Sequence, residues 1–329
     1  MRTVIIRAAF AALAVLIMPP AIAQPTAGGA AGYPNRPVRF VVPYGPGTST
    51  DLQARFMAQK FGELTRQSVV VENKPGANAI LGTQFALNAP ADGYTLVVGG
   101  TTSHAGNKSL FKNLPYDPIK DFVAISGVAI GGGAFIVSPS FPAKTLPELV
   151  ALARREPGKY SYGWASAFSR VAVENLLADT GVKMLHVPYK GSASLASEVM
   201  AGTIDLAFEP IVTLLPLIKS GKVRSLGVST LKRAPGLEEV PSVAEQGVPN
   251  FQFLGWLCIF AKVGTPAPIV ERLNELFVSI LKTPEAADFF RQNAVWEPMI
   301  MTPAETARFV ASEVELWKQG VERAGIEPQ

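Results

Sequence analysis

From Tyr33 onward, short apolar runs rich in β-branched residues alternate with segments of helical spacing, and no other feature of this chain restricts its fold so strongly. Val38–Val42 reads as a buried strand. Residues 50–64 read as a helix, with Thr50 and Gln53 in a capping-box pattern and Met57, Phe61 and Leu64 at helical intervals. A second β-branched run at 68–72 stops at Asn73, Lys74, Pro75 and Gly76. Residues 79–88 are predicted helical, and 94–99 form a strand after the turn at Asp92 and Gly93. Further strands are predicted at 184–187, 204–208, 225–228 and 251–260. Thr145 with Glu148 and Thr302 with Glu305 open two more helices, the latter with Phe309 and Leu316 on one face. Repeated β-α-β units imply an α/β fold with mainly parallel sheets.

The 329 residues exceed what one core usually organises, so two domains are expected. Gly131, Gly132 and Gly133 mark the clearest internal break, either a hinge or crossover or a plain flexible turn. Arg2 and Arg7, an apolar run at 8–18 and the Ala21-Ile22-Ala23 site compose a secretory signal peptide over 1–23. The run is too short for a membrane anchor, which needs about twenty residues. The mature chain is therefore expected in the periplasm, starting with a flexible stretch, 24–32.

One cysteine, Cys258, excludes an internal disulfide and a Cys-based zinc cluster, and two histidines, His104 and His186, make a His-rich metal site improbable. No cofactor is expected. A net charge of +4 without a basic run excludes the usual nucleic-acid grip. Gly-x-Ser-x-Gly, Gly-Lys-Ser/Thr and His-Glu-x-x-His are all absent, so the catalytic reading rests on His104, which follows a strand beside Thr102.

The stronger signal lies at 41–51, where a strand enters a loop of small residues that opens a helix. Free amides at such a start, with the positive end of the helix dipole, favour an anion. Tyr44, Gly47, Thr48, Ser49, Thr50 and Asp51 are the candidates there. A second such loop, 160–170, contains Gly163, Trp164, Ala165, Ser166, Phe168, Ser169 and Arg170 before a helix. Its aromatics either face a ligand or pack into a core.

Several segments resemble the Bug family of extracytoplasmic solute receptors, which serve tripartite tricarboxylate transporters. They include Val42-Pro43-Tyr44 through Ser49-Thr50-Asp51, Glu72-Asn73-Lys74-Pro75-Gly76-Ala77, Leu114-Pro115-Tyr116-Asp117-Pro118, His186-Val187-Pro188-Tyr189-Lys190-Gly191 and Gly264-Thr265-Pro266-Ala267-Pro268. The resemblance implies a type II periplasmic-binding-protein fold, with two α/β lobes and a ligand cleft between them. Lobe one would comprise 33–134 plus 256–329, and lobe two 135–255. It further implies a monomeric receptor that is not an enzyme, captures a small organic carboxylate and passes it to membrane transporter subunits or a sensor. An exported hydrolase-like enzyme is the alternative. The resemblance also brings Asp205 and Glu209 to the cleft, although Asp205 reads equally well as a strand-flanking residue. Trp164 and Phe168 stand where such receptors usually carry small polar residues, which implies a ligand with a ring or bulky apolar body.

Overall fold

The structure, a computed structural model, describes residue 30 and residues 32–292 and 296–329. The expected export signal, and all of 24–32 except Ala30 and Gly32, lie outside the described residues. The chain runs β1 (Val38–Val42), α1 (Ser49–Thr65), β2 (Val69–Asn73), α2 (Ile80–Leu87) and β3 (Thr95–Gly100). A single π-helical turn, Thr102–Gly106, continues into α3 (Asn107–Leu110) and is followed by β4 (Phe122–Val137). Next come α4 (Leu146–Arg155), β5 (Ser161–Trp164), α5 (Ala167–Thr180), β6 (Leu185–Pro188) and α6 (Ser192–Ala201). Then follow β7 (Leu206–Pro210), α7 (Ile211–Lys219), β8 (Arg224–Val228), β9 (Leu254–Lys262) and α8 (Ala267–Leu281). The last elements are α9 (Pro284–Gln292), β10 (Trp296–Pro298) and α10 (Pro303–Arg323).

Two sheets share β4. In the first, β2, β1 and β3 are parallel, while β9 runs antiparallel to both β3 and β4, and β10 antiparallel to β4. In the second, β7 and β8 pair antiparallel with the far half of β4, and β5 and β6 extend from β7 in parallel. The predicted parallel ladders thus flank an antiparallel centre. Gly132 is the last residue of β4 paired with β9, and Gly133 the first paired with β7, so one continuous strand changes sheets between them.

The triple glycine is therefore a crossover and not a flexible turn. Its glycines are demanded by packing: a Cβ on Gly133 would strike the Phe208 ring, and one on Gly132 would lie 2.8 Å from Thr230 Cγ2. Ser229, fully buried, ties this crossover to the returning one. Its N–H donates to Gly133 O (2.9 Å), its hydroxyl accepts from Gly133 N (2.9 Å) and donates to Phe253 O (2.5 Å), and its carbonyl accepts from Phe253 N (3.0 Å).

Behind the first sheet, Phe40, Phe61 and Phe277 pack together from β1, α1 and α8. In the second, Ala134, Ile136, Leu195 and Leu214 form a smaller cluster. A further cluster joins Phe168, Phe208 and Trp256 to Trp317 of α10. Thr302 and Glu305 form the predicted capping box of α10, but its buried face is Thr306, Val310, Trp317 and Val321. Leu316, which shares a face with Phe309, is 57% exposed because the inward stripe is offset by one residue. α10 also bonds across to α5, where Arg323 Nε donates to Asn175 Oδ1 (2.7 Å) and Asn175 Nδ2 to Gly320 O (3.3 Å).

Candidate functional site

The chain after β1 turns at Gly47, whose φ of +77° favours a residue without a Cβ, and then enters α1. The cap of α1 is Thr48 and not the expected Thr50, so the helix begins two residues earlier. Thr48 Oγ1 accepts from Asp51 N (3.4 Å) and donates to Gly45 O (2.8 Å). Asp51 sits behind the loop. It accepts from Gly47 N (2.9 Å), Asn73 Nδ2 (2.9 Å) and Arg55 Nε (3.1 Å). Burial raises its carboxyl, but Arg55, the Gly47 amide and Asn73 outweigh that and hold it below the ordinary value. Asp51 and Gly47 thus shape the loop from outside the cleft. Ser49 and Thr50 follow the cap, and their amides precede any available intrahelical carbonyl.

These residues form one wall of a small cleft of about 100 Å³. Tyr44, Thr48, Ser49, Thr50, Thr101 and Thr102 line this wall, continued by Gly255, Trp256 and Leu257 of β9. Thr101 Oγ1 accepts from Trp256 N (2.8 Å), joining the end of β3 to β9. The Tyr44 hydroxyl meets the hydroxyls of Ser103 and Thr102, and burial pushes its pKa upward.

The facing wall belongs to the second sheet: Ser166, Phe168, Ser192, Glu209, Pro210 and Thr213. Ser166 caps α5 by accepting from Ser169 N (3.2 Å). The Glu209 carboxylate, only 3% exposed, accepts from Ser169 Oγ (2.7 Å) and Ser192 Oγ (2.7 Å). Burial raises its pKa, and the two hydroxyls oppose the shift. Across the cleft, Asn78 Oδ1 accepts from Ala167 N (3.4 Å). Asn78 lies in a run of three left-handed residues, Ala77, Asn78 and Ala79 (φ 46°, 55° and 72°). Asn107 Nδ2 steadies the run by donating to Asn78 O (2.8 Å).

Several candidates fall elsewhere. His104 is fully buried in the π turn, its ring stacked on Phe260 at 3.9 Å, with Nδ1 on Ser103 Oγ (2.9 Å) and Nε2 without a partner. Desolvation pushes its pKa down to about 3. It reaches no cleft, which removes the basis of the hydrolase alternative. Asp205 accepts from Ser161 N (2.8 Å) and Ser161 Oγ (3.1 Å), so it fastens the start of β5 and is a strand-flanking residue. Gly163 lies inside β5, where a Cβ would strike Leu195, and Ala165 packs toward the second sheet's core.

Trp164 is also outside the cleft: it packs against the central core with the Arg170 guanidinium 5.3 Å from its ring centroid. Phe168 lines the cleft but is 7% exposed, held by Phe208 and Phe253 at 5.3 and 5.1 Å. The case for a ring-bearing ligand therefore loses Trp164. Ser192, Thr101, Pro210, Thr213 and the β9 residues escaped the sequence reading. For Ser192 a signal exists, since Gly191 and Ser192 open a helix after a strand as 47–49 do. Among the described residues no cluster of His, Cys, Asp or Glu is suited to a metal ion, and no helix is long and apolar enough to cross a membrane.

Comparison with known proteins agrees with this geometry. Residues 53–326 match the TctC family, described as the tripartite tricarboxylate transporter family receptor. BugT of Bordetella pertussis is 30% identical over 318 residues, covering 96% of this chain and 97% of its own. The structure of R. palustris Rpa4515 with adipate is 32% identical, with a TM-score of 0.87 over 90% of this chain and 100% of that one. MatC from Rhodopseudomonas palustris, with bound malate, is 28% identical with a TM-score of 0.80, covering 88% and 100%.

Proposed function

The chain belongs to the tripartite tricarboxylate transporter receptor family, and from that membership we propose that it captures a small organic carboxylate in this cleft, in the periplasm, for a membrane transporter or a sensor. The observation that carries the reading is the start of α1 on the cleft wall. There the first-turn amides of Ser49 and Thr50 and the hydroxyls of Ser49 and Thr50 gather at the positive end of a 17-residue helix. Such an arrangement binds a carboxylate without a cationic side chain. The acids in Rpa4515 and MatC support the same chemistry here.

In this reading the two sheets are the cores of two lobes. The first comprises 33–132 and 254–329 and the second 133–253, two residues from the expected bounds, and the chain passes between them at Gly132 and Gly133 and again near Phe253. Closing the lobes excludes water from the carboxylate and strengthens each hydrogen bond to it.

The test is titration of the purified mature protein with adipate and malate, alongside native mass spectrometry of any ligand that co-purifies. Replacing both Thr48 and Ser49 with Ala removes the Ser49 hydroxyl from the clamp together with the Thr48 cap that holds the loop to Gly45 O. At about 1.5–3 kcal/mol for a hydrogen bond to a charged group, the affinity for whichever acid binds falls at least about ten-fold. Loss of the Thr48 cap also costs about 1 kcal/mol of stability, so folding is checked by circular dichroism. Unchanged affinity in a folded double variant overturns the assignment of this wall.

A further inference from the structure

Among the described residues no Lys, Arg or His lines the cleft, and its most strongly enclosed ionisable group is an acid, Glu209. Ser169 and Ser192, which hold its two carboxylate oxygens, stand in the first turns of α5 and α6. Those two helix starts, which would otherwise attract a ligand anion, already have a resident one. The cleft is therefore polarised, with the positive start of α1 on one wall and a buried carboxylate on the other. None of the ion pairs among the described residues involves Glu209.

Each Glu209 oxygen accepts one serine hydroxyl and retains a lone pair for another donor. A buried carboxylate without a cation is costly, and a second anion brought against it is more so. A plain diacid lying across the cleft would make that second contact. An ammonium removes both penalties, because it supplies donors and the missing charge.

Resting on the carboxylate reading above, the geometry points to an amino-carboxylate as the ligand, its carboxylate on Ser49 and Thr50 and its ammonium against Glu209. Phe168, Pro210 and Leu257 provide apolar surface for the rest of the molecule. Specificity then comes from the wall where the sequence suggested a second anion clamp.

The experiment uses pairs of acids that differ only in the amino group: leucine with 4-methylpentanoate, phenylalanine with 3-phenylpropanoate, and glutamate with glutarate. Isothermal titration of the mature protein is expected to show at least one amino member binding ten-fold or more tighter than its partner. Glu209→Gln, nearly isosteric, is expected to abolish that preference while leaving binding of the deaminated acid intact or tighter. If Glu209→Gln does not fold, Glu209→Asp, which keeps the charge but draws it back by one methylene, is expected to narrow the preference. Equal or tighter binding of the deaminated members by the native protein overturns this inference and leaves carboxylate capture standing. A preference that survives Glu209→Gln unchanged also overturns it. Failure of the native protein to bind these acids, adipate or malate overturns the carboxylate reading, and the inference falls with it.

Discussion

Replacing His104 with Phe should flatten the acid limb of the stability profile without touching ligand binding. In the folded protein His104 is buried and its pKa is depressed from 6.5 to about 3 by desolvation. The unfolded chain therefore binds the proton first. The stabilisation associated with a neutral His104 is complete above about pH 6.5 and is lost progressively as pH falls toward about 3. Between pH 7.5 and pH 5 the loss from this one residue is about 2 kcal/mol, or a Tm lower by about 3 °C for a chain of this length.

Glu209 and Glu313, whose carboxyls are raised chiefly by burial, take up protons first in the folded state and act in the opposite sense. The wild-type slope alone therefore does not isolate His104, but the difference between wild type and variant does. Phe suits the site. The imidazole already stacks on Phe260 and meets Phe122 edge-on, and Ser103 Oγ retains Gly100 N as a partner at 3.0 Å. The substitution also removes the unpartnered Nε2. Urea denaturation at pH 7.5, 6.5, 5.5 and 5.0 gives both profiles, with ligand titration at pH 7.5 beside them. Parallel profiles refute the burial argument, and a variant that folds but loses ligand returns His104 to the cleft.

Asp51→Asn removes the charge that orders the Gly47 amide, Asn73 and Arg55. It is expected to cost about 1–3 kcal/mol in denaturation and to weaken ligand binding through the displaced loop, which Asp51 supports from behind the cleft wall. Ala77→Gly relieves an exposed left-handed residue (φ 46°) and is expected to stabilise the fold by about 0.5–1 kcal/mol, read as a raised denaturation midpoint.

Features set by neighbouring residues were legible in the sequence. Thr145 and Thr302 cap their helices where the pattern put them. The start of α1 was misplaced because Thr48 and Thr50 are both threonines with a polar residue three positions on, and only the turn at Gly47 selects the first. What the sequence hid is set by distant partners. The glycines of β4 look like a break in the pattern, yet they are small because Phe208 and Thr230 press against them. His104 follows a strand as a cleft residue would, but the π turn aims its ring at Phe260. Glu209 and Asp205 are four residues apart around the same strand. One faces the cleft and the other holds Ser161, a difference fixed by which helix starts surround each.

The position of Glu209 also bears on how the proposed closure would work. Ser229 bonds to Gly133 of the outgoing crossover and to Phe253 of the returning one, so both passages between the sheets are fastened at one buried point. A rotation of one sheet against the other would pivot about that point, because both passages are held together there. Gly133 pairs with Pro210, and Ala134 with Glu209, which places the carboxylate one register step from the pivot. Groups near an axis move least. Closure would then leave Glu209 nearly fixed relative to β4, β9 and the α1 start alike, because a point on the axis keeps its distance from every point of both sheets. The span from Glu209 to the α1 amides, and with it the length of ligand that bridges them, would be set by the fold and not by the extent of closure.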